Sequence, residues 1–269
     1  MPFDRSRRAL FDPSAEDYDA ARPGYPERLI DQLAERSAIP DGGRILEIGC
    51  GTGQLTAPLA ARDYAITAVE LGENLARLAK RNLAPFPNAT VVCADFETWG
   101  AEPAAYDLVV SAQAFHWIDP TIGYPKVHAA LRTSGSLALV WNLFPGCNDP
   151  LYQALDEVYR SVAPQLVRDS AGSSFEQRVA RTLQEIRDSR RFDEPDIVRV
   201  PWTSSYTTAR YLRLLRTHSD HLVLDPPTFE RLLDEVASTI DRFGGTLERP
   251  QVATLVHARP IPVAATNEN

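Results

Sequence analysis

The run Ile45-Leu46-Glu47-Ile48-Gly49-Cys50-Gly51-Thr52-Gly53-Gln54 restricts the fold of this chain more than any other stretch. An apolar strand pattern leads into three glycines at alternate positions, and a helical pattern through Leu55, Leu59 and Ala60 follows. Glycine lets the backbone turn sharply and approach a ligand without interference from a Cβ. A glycine-rich turn from strand to helix marks a nucleotide-type pocket at the carboxyl edge of a parallel sheet. The dinucleotide fingerprint G-x-G-x-x-G/A needs Gly or Ala where this chain has Gln54. Glu47, two residues before the first glycine, would repel a pyrophosphate. The same carboxylate suits a ligand that carries an ammonium group.

Strand and helix patterns alternate from residue 44 to about 142. Strands are expected at Arg44–Ile48, Ala65–Glu70, Thr90–Cys93, Tyr106–Ser111 and Ser136–Trp141, with helices at Leu55–Arg62, Glu73–Leu83 and Tyr124–Leu131. Later strand-like segments lie at Ile197–Trp202 and Thr246–Ala258. The expectation is an α/β fold: a doubly wound, Rossmann-like, seven-stranded and mostly parallel sheet. Ala15 to Ser37 reads as helix broken at Arg22-Pro23-Gly24-Tyr25-Pro26, because two prolines around a glycine cannot continue a helix. Leu151, Leu155, Val158, Val162 and Leu166 recur at helical spacing, and a polar stretch follows to about Asp193. Further helices fit Thr208–Arg216 and Pro227–Phe243. We expect one domain over 1–269, with an N-terminal helical lid at about 12–40 and a core at about 41–145 and 226–258. A helical cap inserted at about 150–225 would shape the acceptor side.

Composition narrows the partners. The formal net charge is -8 and the sequence pI about 5.2, so the surface as a whole repels phosphate backbones and nucleic acid is not expected. Cys50, Cys93 and Cys147 lack C-x-x-C spacing, which argues against a zinc ribbon or a disulfide framework and fits a reducing compartment. No apolar core follows the basic Met1 to Arg8 stretch, and the run around Leu137 to Phe144 is too short to span a bilayer. A soluble, cytoplasmic protein is expected, with a frayed tail beyond Arg259.

Glu70 ends the second expected strand, where a carboxylate can accept hydrogen bonds from both hydroxyls of a ribose; it could equally cap the helix that follows. After the third strand, Asp95 can accept from an adenine amino group and Phe96 can stack on the ring. The fourth strand runs into Ala112-Gln113-Ala114-Phe115-His116-Trp117. His116 is a candidate general base, since imidazole titrates near neutrality, or a residue that orients the loop or cofactor; Trp117 is a candidate wall of the reaction site.

Together with the Arg22-Pro23-x-Tyr25-Pro26 bend and the Tyr211-Leu212-x-Leu214-Leu215-x-Thr217-x-Ser219 pattern, these motifs resemble the class I S-adenosylmethionine-dependent methyltransferases. Within that family they are similar to the small-molecule group related to the trans-aconitate methyltransferases, over residues from about 12 to 258. The resemblance implies S-adenosylmethionine as cofactor, S-adenosylhomocysteine as product and a small-molecule acceptor whose nucleophile is O, N or C, a carboxylate being one candidate. It implies a cofactor site formed by Tyr18, Arg22, Glu47, Gly49, Cys50, Gly51, Gln54, Glu70, Leu71, Asp95, Phe96 and Gln113. Tyr25, Arg210 and Arg213 are candidate acceptor contacts, although the stripe Arg210, Arg213, Arg216 also fits a solvated helix face. His218 and His221 read as exposed, and no metal is expected. Asp225-Pro226-Pro227-Thr228 resembles the adenine-N6 methyltransferase signature, but it falls far from the fourth strand and more simply opens a helix. Alternatives are a methyltransferase acting on tRNA or protein, a cofactor-binding homologue without catalysis and, against Gln54 and Glu47, an NAD oxidoreductase. A monomer or homodimer is expected, without membrane attachment.

Overall fold

Seven strands form the framework: β1 (Arg44–Ile48), β2 (Ala65–Glu70), β3 (Ala89–Cys93), β4 (Tyr106–Ala112), β5 (Leu131–Leu143), β6 (Asp196–Thr207) and β7 (Thr246–Ala258). They make one sheet in the order β3-β2-β1-β4-β5-β7-β6. β3, β2, β1, β4 and β5 pair in parallel, while β7 runs antiparallel to both β5 and β6. The chain leaves β1 toward β2 on one side and returns to β4 on the other, which opens a crevice at the carboxyl ends of β1 and β4. This computed structural model describes residues 8, 10–167 and 171–262, with side chains of 171–175 left out. The basic stretch before Arg8 and the tail beyond 262 lie outside the described residues.

The helices are α1 (Ala15–Ala21), α2 (Glu27–Ser37), α3 (Thr56–Ala60), α4 (Glu73–Asn82), α5 (Pro120–Ala130), α6 (Pro150–Val162), α7 (Ala171–Ser189), α8 (Thr208–Leu215) and α9 (Pro226–Arg242). Both sheet faces are covered, so the central strands are apolar nearly throughout. On one face Leu46, Ile48, Val109, Leu137 and Leu139 pack with Tyr124 and Val127 of α5 and Val179 and Ile186 of α7. On the other, Ile45, Leu108, Val110, Ala138 and Leu255 pack with Leu29, Ile30 and Leu33 of α2. A third cluster joins Leu151 and Leu155 of α6 to Leu214 and Leu215 of α8 and to Leu232, Leu233 and Val236 of α9.

An Asp-Pro pair opens three helices. Asp119, Asp149 and Asp225 accept from the backbone N–H of Thr121 at 2.9 Å, Tyr152 at 2.9 Å and Thr228 at 3.0 Å, with proline in the first turn of each helix. Asp225-Pro226-Pro227-Thr228 is therefore a helix start. Two sequence expectations change. The polar stretch before Asp193 contains α7, whose Val179, Thr182 and Ile186 turn inward at helical spacing. The strand expected at Ile197–Trp202 extends over Asp196–Thr207 and, although it falls inside the segment 150–225 assigned to the cap, forms the edge of the main sheet along β7. The helices of that segment fall on either side of the strand.

Candidate active site

The turn after β1 holds Gly49, Gly51 and Gly53 at φ of 70°, 60° and 99°. A Cβ on Gly49 would lie 2.4 Å from the Cβ of Ala114, and one on Gly51 would lie 3.1 Å from the Tyr18 ring. The glycines thus bring the β1 turn against both the loop after β4 and the N-terminal helix. Glu70, at the end of β2, accepts from Gly51 N–H at 2.8 Å and Gly72 N–H at 3.0 Å. Burial raises its pKa against the pull of those bonds.

Glu47 is 1 % exposed, and its Oε2 has no hydrogen-bond partner. Burial pushes its pKa up to about 8 against the pull of the Thr56 hydroxyl, with the nearby Glu70 carboxylate adding to the rise. A buried carboxyl group with one unpartnered oxygen is costly to ionise, and an incoming cation would offset that cost. Arg22 stands across the same small compartment of about 60 Å³. Its Nε donates to Thr217 Oγ1 at 2.8 Å and its Nη2 to Thr217 O at 2.6 Å, with the guanidinium 5.1 Å from the Tyr18 ring centre. Tyr25, Cys50, Gln54 and Gln113 line this compartment too. Gln54 turns back to donate to Thr52 Oγ1 at 2.7 Å. Gln113 is held at φ 62° and donates from its side chain to Asn142 O at 3.2 Å. Burial pushes the Cys50 thiol and the Tyr25 hydroxyl well above their ordinary values.

A cavity of about 1100 Å³ continues from here along the sheet edge. Tyr18, Arg22, Gly49, Gly51, Glu70, Leu71, Asp95, Phe96, Gln113, His116 and Trp117 all border it. Asp95 is engaged by Arg8 at 2.6 Å and accepts from Glu97 N–H at 2.9 Å. Phe96 is only 3 % exposed and belongs mainly to the core, with the Lys126 ammonium 5.1 Å from its ring centre. Trp117 meets Phe11 edge-on at 5.7 Å. Trp141 Nε1–H donates to His116 Nδ1 at 3.4 Å; since an indole only donates, the neutral imidazole carries its proton on Nε2. Burial and then Arg178 hold the His116 pKa well below its ordinary value.

The arginine stripe does not reach the cavity. Arg210 donates to Ser205 O at 2.9 Å and lies 4.6 Å from the Tyr206 ring centre, Arg213 faces Asp17 at 3.8 Å and Arg216 pairs with Glu230 at 2.9 Å. These partners come from neighbouring elements, which helical spacing cannot reveal. His218 and His221 were expected at the surface, yet both border the cavity and His221 is 6 % exposed. The sequence reading also missed Arg249 and Gln251 of β7, Tyr206 of β6, and the cap aromatics Tyr152 and Tyr159. For the last two a signal existed: Tyr152, Leu155 and Tyr159 share one face of α6 at helical spacing.

The sheet order, the glycine turn and an acidic residue ending the next strand define a class I methyltransferase fold. Residues 45–135 match the family described as a methyltransferase domain. An uncharacterized methyltransferase of Mycobacterium tuberculosis is 34% identical over 125 residues, 46% of this chain and 49% of that one. The chain thus spans about half the length of the first curated relatives it matches. A malonyl-[acyl-carrier protein] O-methyltransferase of Geobacter sulfurreducens is 28% identical over 94% of this chain and 97% of its own length. Among solved structures, a chain from Anaeromyxobacter dehalogenans provisionally assigned as a type II methyltransferase superposes with a TM-score of 0.63 at 25% identity, covering 89% of this chain and 96% of that one. These matches support a methyltransferase of the class I S-adenosylmethionine-dependent type.

Proposed function

We propose that the protein transfers a methyl group from S-adenosylmethionine to a small molecule. The observation that carries this reading is Glu47, a buried carboxylate with an unpartnered oxygen beside a glycine turn with positive φ. Glu47 would receive the ammonium of the cofactor's amino-acid end and Arg22 its carboxylate. Glu70 would receive the ribose hydroxyls, and Asp95 the adenine amino group once Arg8 yields. When bound, this cofactor supplies a methyl group from a sulfonium sulfur, and the C–S bonding pair stays on sulfur. His116, protonated at Nε2, serves as a hydrogen-bond donor rather than a base. Trp117, Phe11, Tyr152 and Tyr159 bound the acceptor space and exclude water.

Small-molecule scale fits a cavity bordered by α6 and α8 and a chain of net charge -8. A carboxylate acceptor is the second reading, favoured by Arg178 and Arg249 at the cavity and by the malonyl acceptor in the Geobacter relative's name. Among the described residues no helix is long and apolar enough to cross a membrane, and we place the reaction in the cytoplasm. Calorimetry with S-adenosylmethionine, S-adenosylhomocysteine and NAD tests the cofactor. The first two should bind and NAD should not; binding of NAD alone would sink the reading.

A further inference from the structure

The loop after α8 and helix α6 bring three polar groups together at the cavity wall. His221 Nδ1 lies 2.8 Å from Asp220 Oδ1, and His221 Nε2 lies 2.7 Å from the hydroxyl of Tyr159 on α6. All three residues border the 1100 Å³ cavity. The carboxylate can only accept, so Nδ1 carries a proton, and in the neutral imidazole Nε2 is bare. Tyr159 O–H must then donate to Nε2, which leaves its oxygen lone pairs as the accepting side. His218, Asp220 and His221 also bring ligand atoms within 4.8 Å of one another. A cation there is disfavoured: both nitrogens of His221 are committed, and the positive charges of Arg22 and Arg249 act on His218.

We propose that Tyr159, His221 and Asp220 form a proton relay that deprotonates a hydroxyl group of the methyl acceptor. The inference rests on the methyl-transfer reading above and narrows its acceptor to a nucleophile that arrives with a proton. The hydroxyl proton passes to the Tyr159 oxygen as the Tyr159 proton passes to His221 Nε2. The acceptor oxygen forms its bond to the methyl carbon, and the pair of the broken bond stays on the donor's sulfur. The imidazolium so formed is held by Asp220 and later releases its proton to solvent. Tyr159 is the catalytic residue, while His221 and Asp220 act through it as positioning residues. Burial keeps the phenol neutral, consistent with a relay instead of a standing tyrosinate. A carboxylate acceptor is already ionised at neutral pH and would need none of this apparatus.

The relay has a signature in the cofactor-free protein. The chain has five histidines, so imidazole ¹⁵N resonances can be assigned by single substitutions. His221 should show the Nδ1–H form, and Tyr159→Phe should shift its Nε2 signal; an Nε2–H form overturns the relay. In turnover, the tritiated methyl donor is offered with catechol, 4-hydroxybenzoate or octanoate, and products are sorted into alkali-stable ethers and alkali-labile esters. Ethers are expected from the phenols. Tyr159→Phe, which keeps the ring packing, should lower kcat by about 10²-fold or more with KM little changed. The acid limb of the rate profile should vanish in this variant and in His221→Gln. His221 meets Tyr159, Asp220 and His218, and Arg22, Tyr211 and Arg249 act on Tyr159 or His218 in turn, so the limb is assigned only if both variants remove it. Ester formation alone, no ether from either phenol, or ether formation unaffected by Tyr159→Phe overturns the proposal. Parallel calorimetry separates the two failures: a protein that binds the methyl donor but makes no ether refutes the relay alone.

Discussion

Glu47 shows how a single side chain can carry a functional reading. Between pH 4.5 and about 8 the folded protein holds a proton on it that the unfolded chain has released. Stability therefore falls as pH rises through that window, by up to about 1.4 kcal/mol per unit from this group. Glu47→Gln keeps the volume and removes the titration, so it should raise the melting temperature of the cofactor-free protein at pH 8 and flatten its pH dependence. The same change should weaken S-adenosylmethionine binding by about 1.5–3 kcal/mol, because a charge-assisted bond is lost. Melting curves and calorimetry on one variant check both signs; a destabilised variant with unchanged affinity would make Glu47 a structural residue. Glu47 and Glu70 were legible because their offsets from the glycines fix them at strand ends. Tyr159 and His221 were not, since their meeting depends on packing between α6 and the loop after α8, 62 residues apart in sequence.

At the scale of elements, periodicity located β1, β2, β7, α1 and α2 closely, because sharp breakers bound them: Pro26 precedes α2, and glycines follow β1 and precede β7. It missed α7, where arginines and acids dilute the apolar face, and it found only Ile197–Trp202 of β6 and set that strand within the cap, because an edge strand exposes alternate side chains. The arginine stripe on α8 illustrates a related limit. Helical spacing says that Arg210 and Arg213 share a face, but only the packed structure shows that face turned toward Ser205, Tyr206 and Asp17. Arg213→Ala should therefore leave acceptor turnover and cofactor affinity within about twofold of the parent. Its exposed pair with Asp17 contributes little, on the order of 0–1 kcal/mol. Steady-state kinetics with whichever acceptor is turned over checks this, and a large rise in KM would return Arg213 to the acceptor site.

Across the whole molecule, the proposed site is assembled from parts distant in sequence, and one side chain ties two of them. Arg22, just after α1, holds both the hydroxyl and the carbonyl of Thr217 beyond α8, while its compartment also contains Glu47 of β1. A ligand seated between Arg22 and Glu47 would therefore brace the N-terminal helix, the sheet edge and the cap loop as one unit. At a concentration 100 times its dissociation constant, a ligand that binds only the folded state adds about 2.7 kcal/mol of stability. For a chain of this length that amounts to a rise in melting temperature of roughly 5–10 °C. Amide exchange should slow together in α1, the glycine turn and residues 214–221 when S-adenosylmethionine is added, with β6 little affected. Arg22→Ala should retain slowing at the glycine turn and lose it at 214–221, because the link between helix and cap loop is gone. Protection confined to the glycine turn in the parent protein would mean that the cap senses the acceptor alone, and that Arg22 is a structural tie without a part in cofactor binding.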